Sequence, residues 1–283
     1  WVHGFYEVGH PSLARGIKKF KYKIDALVYA TKTHDTIRWN FHDDIWSKFP
    51  TLTPISTPLE ELYKKRAHQL RDTYDYLILC YSGGSDSWTI IKTFIENNIL
   101  IDEIYIRWPI KAIKGNKFVY TPNDIDIRPE NFLSEWDFVL VKDIEWIRKV
   151  SPKTKITIYD WTEDISPITE KEFYVTNHSL SLWNLKRFCM QGDLEKRMLD
   201  LGKKVGIIFG IEKPFIKILP DGYYMHFSDF SVNLAYTDGF KESKVEYFYW
   251  TPDMPEIAVA QAQNVVYNII ERFNQNEIKH ILN

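Results

Sequence analysis

The stretch "YDYLILCYSGGSDSWTIIKTFIENN", residues 74–98, limits what this chain can be more than any other. Residues 74–81 form an aromatic and aliphatic run with the length and character of a strand buried on both faces. Over about 86–97 the spacing becomes that of an amphipathic helix. Between the two, positions 82–87 hold two glycines, three serines and an aspartate. A strand that enters a helix through so short a polar turn leaves several backbone N–H groups unpaired at the positive end of the helix dipole. Such a turn receives anions, phosphate above all. Gly83 and Gly84 permit close backbone approach. Ser82, Ser85 and Ser87 offer hydroxyl donors, and the Asp86 carboxylate suits a divalent cation that bridges phosphates.

The same alternation continues. "DEIYIRW" (102–108), "TKITIYDW" (154–161) and "KVGIIFG" (204–210) read as strands, with helices over 86–97, from Pro129 and Glu130 toward residue 150, and over 178–202 ending at a Gly202 C-cap. This predicts an α/β fold with a parallel sheet covered on both faces. Right-handed crossovers and a switch beside the polar turn predict the strand order 3-2-1-4, counted from the strand at 75–81. Ligands of such sheets lie beyond the carboxyl ends of the strands. That rule selects Ser82–Ser87, then Ile106, Arg107 and Trp108, then Asp160 and Trp161, and finally Gly210–Lys213. Lys186 and Arg187 read as a solvated helix face.

Ahead of this core, "STPLEELYKKRAHQLRDT" predicts a helix with Thr57 as N-cap and Pro58 at its first position. Residues 1–56 are rich in aromatics and histidines without a sustained period. There, His42, Asp43 and Asp44 read as a loop or helix start rather than a metal site. Residues 109–129 read as a long irregular excursion of the kind that carries function. Behind the core, "FIKILPDGYYMHFSDF" predicts a hairpin about Pro-Asp-Gly, and the tail carries Ile257, Ala260, Ala262, Val265, Val266, Ile269 and Phe273 at near-helical spacing.

Composition sets the outer limits. A chain of 283 residues, 45% hydrophobic, has ample material for a core. With 36 basic against 38 acidic residues, charge points to no nucleic-acid partner. No apolar run approaches the roughly 20 residues of a spanning helix, and no leader pattern opens the chain, so no membrane partner and a cytoplasmic location are expected. Cys80 and Cys189 form no C-x-x-C pair and read as packing thiols, Cys80 buried in its strand.

The turn has neither the G-x-x-x-x-G-K-[ST] of nucleotide hydrolases nor the G-x-G-x-x-G of dinucleotide folds. The residues Ser-Gly-Gly-Ser-Asp-Ser at 82–87 resemble the PP-loop S-G-G-x-D-S of the N-type ATP pyrophosphatases, the adenine nucleotide alpha-hydrolase-like superfamily. Its members include asparagine synthetase, GMP synthetase and tRNA thiolases. "ELYKKRAHQLRDTYDYLILCYSGGSDS" further resembles uncharacterised stand-alone, phage-type PP-loop proteins, for which the location would be the host cytoplasm.

The resemblance implies a Rossmann-like three-layer sandwich of the PP-loop/HUP type over 74–215, with an N-terminal extension (1–73) and a C-terminal hairpin and helix (216–283). It implies ATP and Mg²⁺ as cofactors. Ser82, Gly83, Gly84, Ser85, Asp86 and Ser87 would hold the phosphates, and the backbone of Ile106, Arg107 and Trp108 would meet the adenine. Asp86 would hold Mg²⁺, with Asp160 as a weaker metal candidate, and Glu212 and Lys213 of "GIEKPF" would orient substrate and steady the α-phosphate. The implied reaction cleaves ATP to AMP and pyrophosphate, activating an oxygen of an acceptor substrate for attack by nitrogen, with ammonia or sulfur from a separate donor. Two alternatives stay open: a sulfurtransferase or phosphoadenylylsulfate-reductase-like enzyme of the same fold, and a nucleotide-binding protein without turnover.

Overall fold

The structure, a computed structural model, describes residues 4–10, 16–20, 23–108, 136–159, 197–210, 213–226 and 244–274. Along the chain run β1 (Phe5–Gly9), β2 (Ile17–Phe20), α1 (Lys23–Thr33), β3 (Ile37–Asn40), α2 (Asp43–Trp46), α3 (Leu59–Thr73), β4 (Tyr76–Cys80), α4 (Ser85–Glu96) and β5 (Glu103–Arg107). A π-helical turn, Trp136–Leu140, leads into α5 (Val141–Val150). Then follow β6 (Lys155–Tyr159), β7 (Val205–Phe209), β8 (Phe215–Leu219), β9 (Gly222–His226), β10 (Lys244–Tyr247) and α6 (Pro255–Asn274). Two compact units share this chain. One comprises Trp1–Ser56, Pro214–His226 and Trp250–Asn283, the other Thr57–Lys213 and Phe227–Tyr249.

The second unit is built on a five-stranded, wholly parallel sheet in the order β6-β5-β4-β7-β10. With its helices it is an α/β unit compatible with a Rossmann-like fold. The first four strands stand in the order expected from the sequence, 3-2-1-4. The fifth, β10, was not foreseen. Its register with β7 runs from Lys244↔Gly206 to Tyr247↔Phe209. A strand covered on both faces needs apolar residues throughout, and every residue of β7, VGIIF, is buried. β7 passes so close to Tyr74 that a Cβ on Gly206 would lie 2.6 Å from the ring.

Helix α3 turns Leu62, Tyr63, Arg66, Ala67 and Leu70 inward, a stripe at three- and four-residue spacing. It begins one residue later than expected. Pro58 is the N-cap, its ψ of 147° keeping it outside the helix while its carbonyl accepts the Leu62 N–H at 3.1 Å. Arg66 is 1% exposed and is balanced by Glu246 of β10 at 2.8 Å, whose other oxygen accepts the Tyr74 hydroxyl at 2.5 Å. Two charges removed from water need this many partners. The expected helix over 178–202 lies mostly outside the described residues, but its end is as predicted. Gly202, at φ +71°, donates to Leu199 and the next N–H, of Lys203, reaches back to Met198, the paired bonds of a Schellman cap. The expected start at Pro129 and Glu130 also lies outside the described residues.

The first unit has its own sheet, antiparallel and ordered β2-β1-β3. α1 lies on it, and Val8, Ala26 and Ala30 form a small core flanked by Tyr6, Phe20, Tyr29 and Ile37. Sequence periodicity showed none of these elements. At 40–46 the helix start foreseen in the sequence is present: Asp43 opens α2, accepting from Phe41 N–H at 3.2 Å and from Arg38 at 2.6 Å. The predicted hairpin is β8–β9, closing with Leu219 opposite Gly222. The predicted tail helix is α6, which buries Ile257, Ala258, Val259, Ala260 and Ala262 and anchors residues 51–55 through Gln263. Among the described residues no helix is long and apolar enough to cross a membrane.

Candidate functional site

β4 is the central strand of the parallel sheet. The chain moves from it to β5 and β6 on one side and to β7 and β10 on the other. The loop leaving β4 therefore stands at the switch point, where strand connections diverge and leave a crevice. This loop is Tyr81–Gly84, and it runs directly into α4.

Gly83 has φ +81°, and a Cβ there would meet the Leu140 side chain at 2.9 Å. Backbone conformation and space thus both require glycine. Gly84 is the N-cap of α4, in extended conformation, and no side chain caps that helix. The N–H groups of its first turn are left for a ligand. Ser82, Gly84 and Ser85 face solvent. Ser87 lies beneath them, buried, where its hydroxyl donates to the Gly84 carbonyl at 3.0 Å and sits 3.3 Å from the Ser82 hydroxyl. Gly84 N–H in turn donates to Ser82 Oγ at 3.3 Å. The lower hydroxyl braces the loop through Ser82 and Gly84, and the side chains of Ser82 and Ser85 stay exposed above it.

Across the switch, β7 ends at Phe209 and Gly210 follows. A Cβ there would stand 3.1 Å from Ser87 N and 3.3 Å from the Asp86 carbonyl carbon, so the strand end and the first turn of α4 touch through backbone. Three residues on, Lys213 Nζ lies 2.6 Å from Asp86 Oδ1, with the two side chains 39% and 35% exposed. The ammonium also sits 4.9 Å over the Tyr249 ring, within cation–π range. Tyr249 donates its hydroxyl to the Asp86 carbonyl at 2.6 Å and packs edge-on against Tyr63 at 5.5 Å. Burial, and next the Asp86 charge, push the phenols of both Tyr63 and Tyr249 well above the ordinary tyrosine value. Both therefore favour the neutral phenol.

On the other side, the end of β5 approaches the same edge. The N–H of Trp108 pairs with β6 through Tyr159 at 2.9 Å, while the Tyr105 carbonyl pairs toward β4 through Tyr81 N–H at 3.0 Å. By pleat alternation the Arg107 backbone faces the β4 side, where that strand has already turned into the loop. Ile106 and Trp108 have buried side chains. Trp108 stacks on Trp136 at 6.0 Å. Trp136 opens the π-helical turn whose Val139 and Leu140 cover Gly83. Tyr81 hydrogen-bonds Asp143 in the first turn of α5, whose carboxyl is raised by burial against the opposing effect of that bond.

Of the residues selected from sequence, Ser82, Gly83, Gly84, Ser85, Asp86, Ser87 and Lys213 are brought together. Ile106, Arg107 and Trp108 end the neighbouring strand. Glu212 and Asp160 lie outside the described residues, as does the side chain of Arg107. Cys80 is half-buried at the end of β4, not sealed within it; the strand's last residue adjoins the open loop. Tyr249, Tyr63 and the Tyr81–Asp143 pair were not foreseen. A signal for Tyr249 existed in "KVEYFYW", a largely aromatic run that Thr251 separates from Pro252. No protein-family model matches this chain, and no curated protein is significantly similar to it.

Proposed function

We propose that this protein is an adenylating enzyme of the PP-loop type, which cleaves ATP to AMP and pyrophosphate to activate an oxygen of an acceptor substrate for attack by a nitrogen nucleophile. One observation carries the reading. An uncapped helix N-terminus, entered through a glycine at φ +81° and fringed by Ser82 and Ser85, stands at the switch point of a parallel sheet. Negative charge has a built place there, and no Walker lysine is present to grip a γ-phosphate for ADP-forming transfer.

In this reading the N–H groups of α4 and the hydroxyls of Ser82 and Ser85 hold the β- and γ-phosphates as the leaving pyrophosphate. Donors already oriented toward developing charge lower the barrier without reorganising at the moment of reaction. The Arg107 backbone, turned toward the loop side, meets the base, and Lys213 steadies the α-phosphate. The proposed fold is the three-layer PP-loop form of the observed α/β unit. Mg²⁺, when bound, neutralises phosphate charge as a Lewis acid. The Asp86 carboxylate suits this hard cation. Among the described residues no group of three or more His, Cys, Asp or Glu converges, so phosphate oxygens and water would complete its shell.

ATP labelled at the α-phosphate, offered with a panel of carboxylate, carbonyl and nucleobase acceptors, tests the proposal by chromatography. The expected substrate-dependent products are AMP and pyrophosphate, with Asp86→Asn losing at least about a hundredfold in rate while staying folded. ADP as the dominant product would refute the mechanism. Tight ATP binding with no product from any acceptor would favour a nucleotide-binding protein without turnover.

A further inference from the structure

We propose that Lys213 is an exchangeable counter-ion for Asp86: in the nucleotide-free protein its ammonium occupies the carboxylate that a divalent cation would use, and an arriving triphosphate draws it away. The inference rests on the reading of the loop as a nucleotide triphosphate site.

The geometry distinguishes this ion pair from the buried Arg66–Glu246 pair of the same unit. Arg66 and Glu246 are 1% and 3% exposed and locked by further hydrogen bonds, whereas Lys213 and Asp86 are 39% and 35% exposed. Water reaches the second pair, so its attraction is screened and its partners can be traded. Tyr249 supplies the place to trade from: its ring lies under the ammonium, and its hydroxyl pins the Asp86 backbone. The ammonium can leave the carboxylate without leaving that aromatic face.

Two electrostatic conditions then oppose a lone cation at Asp86. Lys213 already neutralises the carboxylate, and Asp86 lies in the first turn of α4, beside the positive end of the helix dipole. A triphosphate removes both. It satisfies the helix N–H groups and offers the ammonium new oxygens, which frees the carboxylate for the metal. Cation and nucleotide therefore load together, and the free protein is kept from holding an idle metal.

Mn²⁺, a paramagnetic stand-in that accepts oxygen ligands as Mg²⁺ does, reads this directly. Free Mn²⁺ is followed by electron paramagnetic resonance in wild-type protein, Lys213→Gln, the charge-retaining Lys213→Arg, and Lys213→Gln combined with Asp86→Asn, all without nucleotide. Lys213→Gln should bind Mn²⁺ more tightly by on the order of tenfold, the repulsion of one close charge on a divalent ion. Lys213→Arg should stay at the wild-type level, and the double variant should lose the gain. Metal-free ATP binding, by equilibrium dialysis, should move the opposite way and weaken in Lys213→Gln; a merely structural lysine would weaken both. No gain in Lys213→Gln, or a gain that survives Asp86→Asn, overturns the exchange alone. Wild-type protein that binds no ATP overturns the nucleotide reading and the exchange with it.

Discussion

The parallel sheet and the β2-β1-β3 sheet hold their strands by different means. β7 sits between two strands and buries all five of its residues, VGIIF, while β1 is central in its own sheet and buries only Phe5 and Val8. A strand buried on both faces reads as an unbroken apolar run. β1 has no such run: its buried residues, Phe5 and Val8, are three apart and so on opposite faces, and five residues offer no period to read. Among the described residues the small sheet has a small buried cluster, Val8, Ala26 and Ala30. The parallel unit has Phe94, Leu70, Leu77, Ile78, Leu79, Ile90 and Ile91 at under 2% exposure, and it admits a buried ion pair as well. A large core can stabilise what a small one could not contain.

The strongest way to break this contrast is to strip the ion pair of one member. Glu246→Ala leaves Arg66 charged, buried and without its carboxylate, and should cost about 3–5 kcal/mol in urea unfolding. The combined Arg66→Met and Glu246→Leu should recover most of that loss, since no charge is then stranded. Next in size is Gly206→Ala. The added methyl runs into the Tyr74 ring, and overpacking should cost about 1–3 kcal/mol, read as a lower urea midpoint with an unchanged slope.

Val8→Ala should cost less, about 1 kcal/mol, and in a different place. Hydrogen exchange should show β1 and β3 losing protection while β4, β5 and β7 keep theirs. Equal loss in both sheets would show that the two cores do not respond separately. The smallest effect is one of pH. Burial raises the phenols of Tyr63, Tyr81 and Tyr249 above their ordinary value of 10.0. A raised folded-state value means stability present below pH 10 and lost as pH rises through the folded values. Tyrosinate absorbance from these residues should appear only together with alkaline unfolding, and tyrosinate formed before any loss of structure would contradict their burial.

Sequence by itself determined the Ser82–Ser87 loop, the strand and helix around it, the order of four parallel strands, the β8–β9 hairpin and the tail helix. Each of these is a local matter. A strand buried on both faces, a glycine turn or a helical stripe leaves its mark in consecutive residues, and the order of parallel strands follows from chain handedness once the strands are known. Tertiary structure alone decided the rest. Arg66 meets Glu246 across 180 positions and Tyr249 meets Asp86 across 163; single polar residues at such distances have no periodicity through which to announce each other. Lys213 was selected from sequence for its place after β7, but its pairing with Asp86 depends on how closely Gly210 lets that strand approach α4. The loop's glycines, hydroxyls and carboxylate are written in six adjacent residues, whereas the ammonium that faces that carboxylate is brought by the fold.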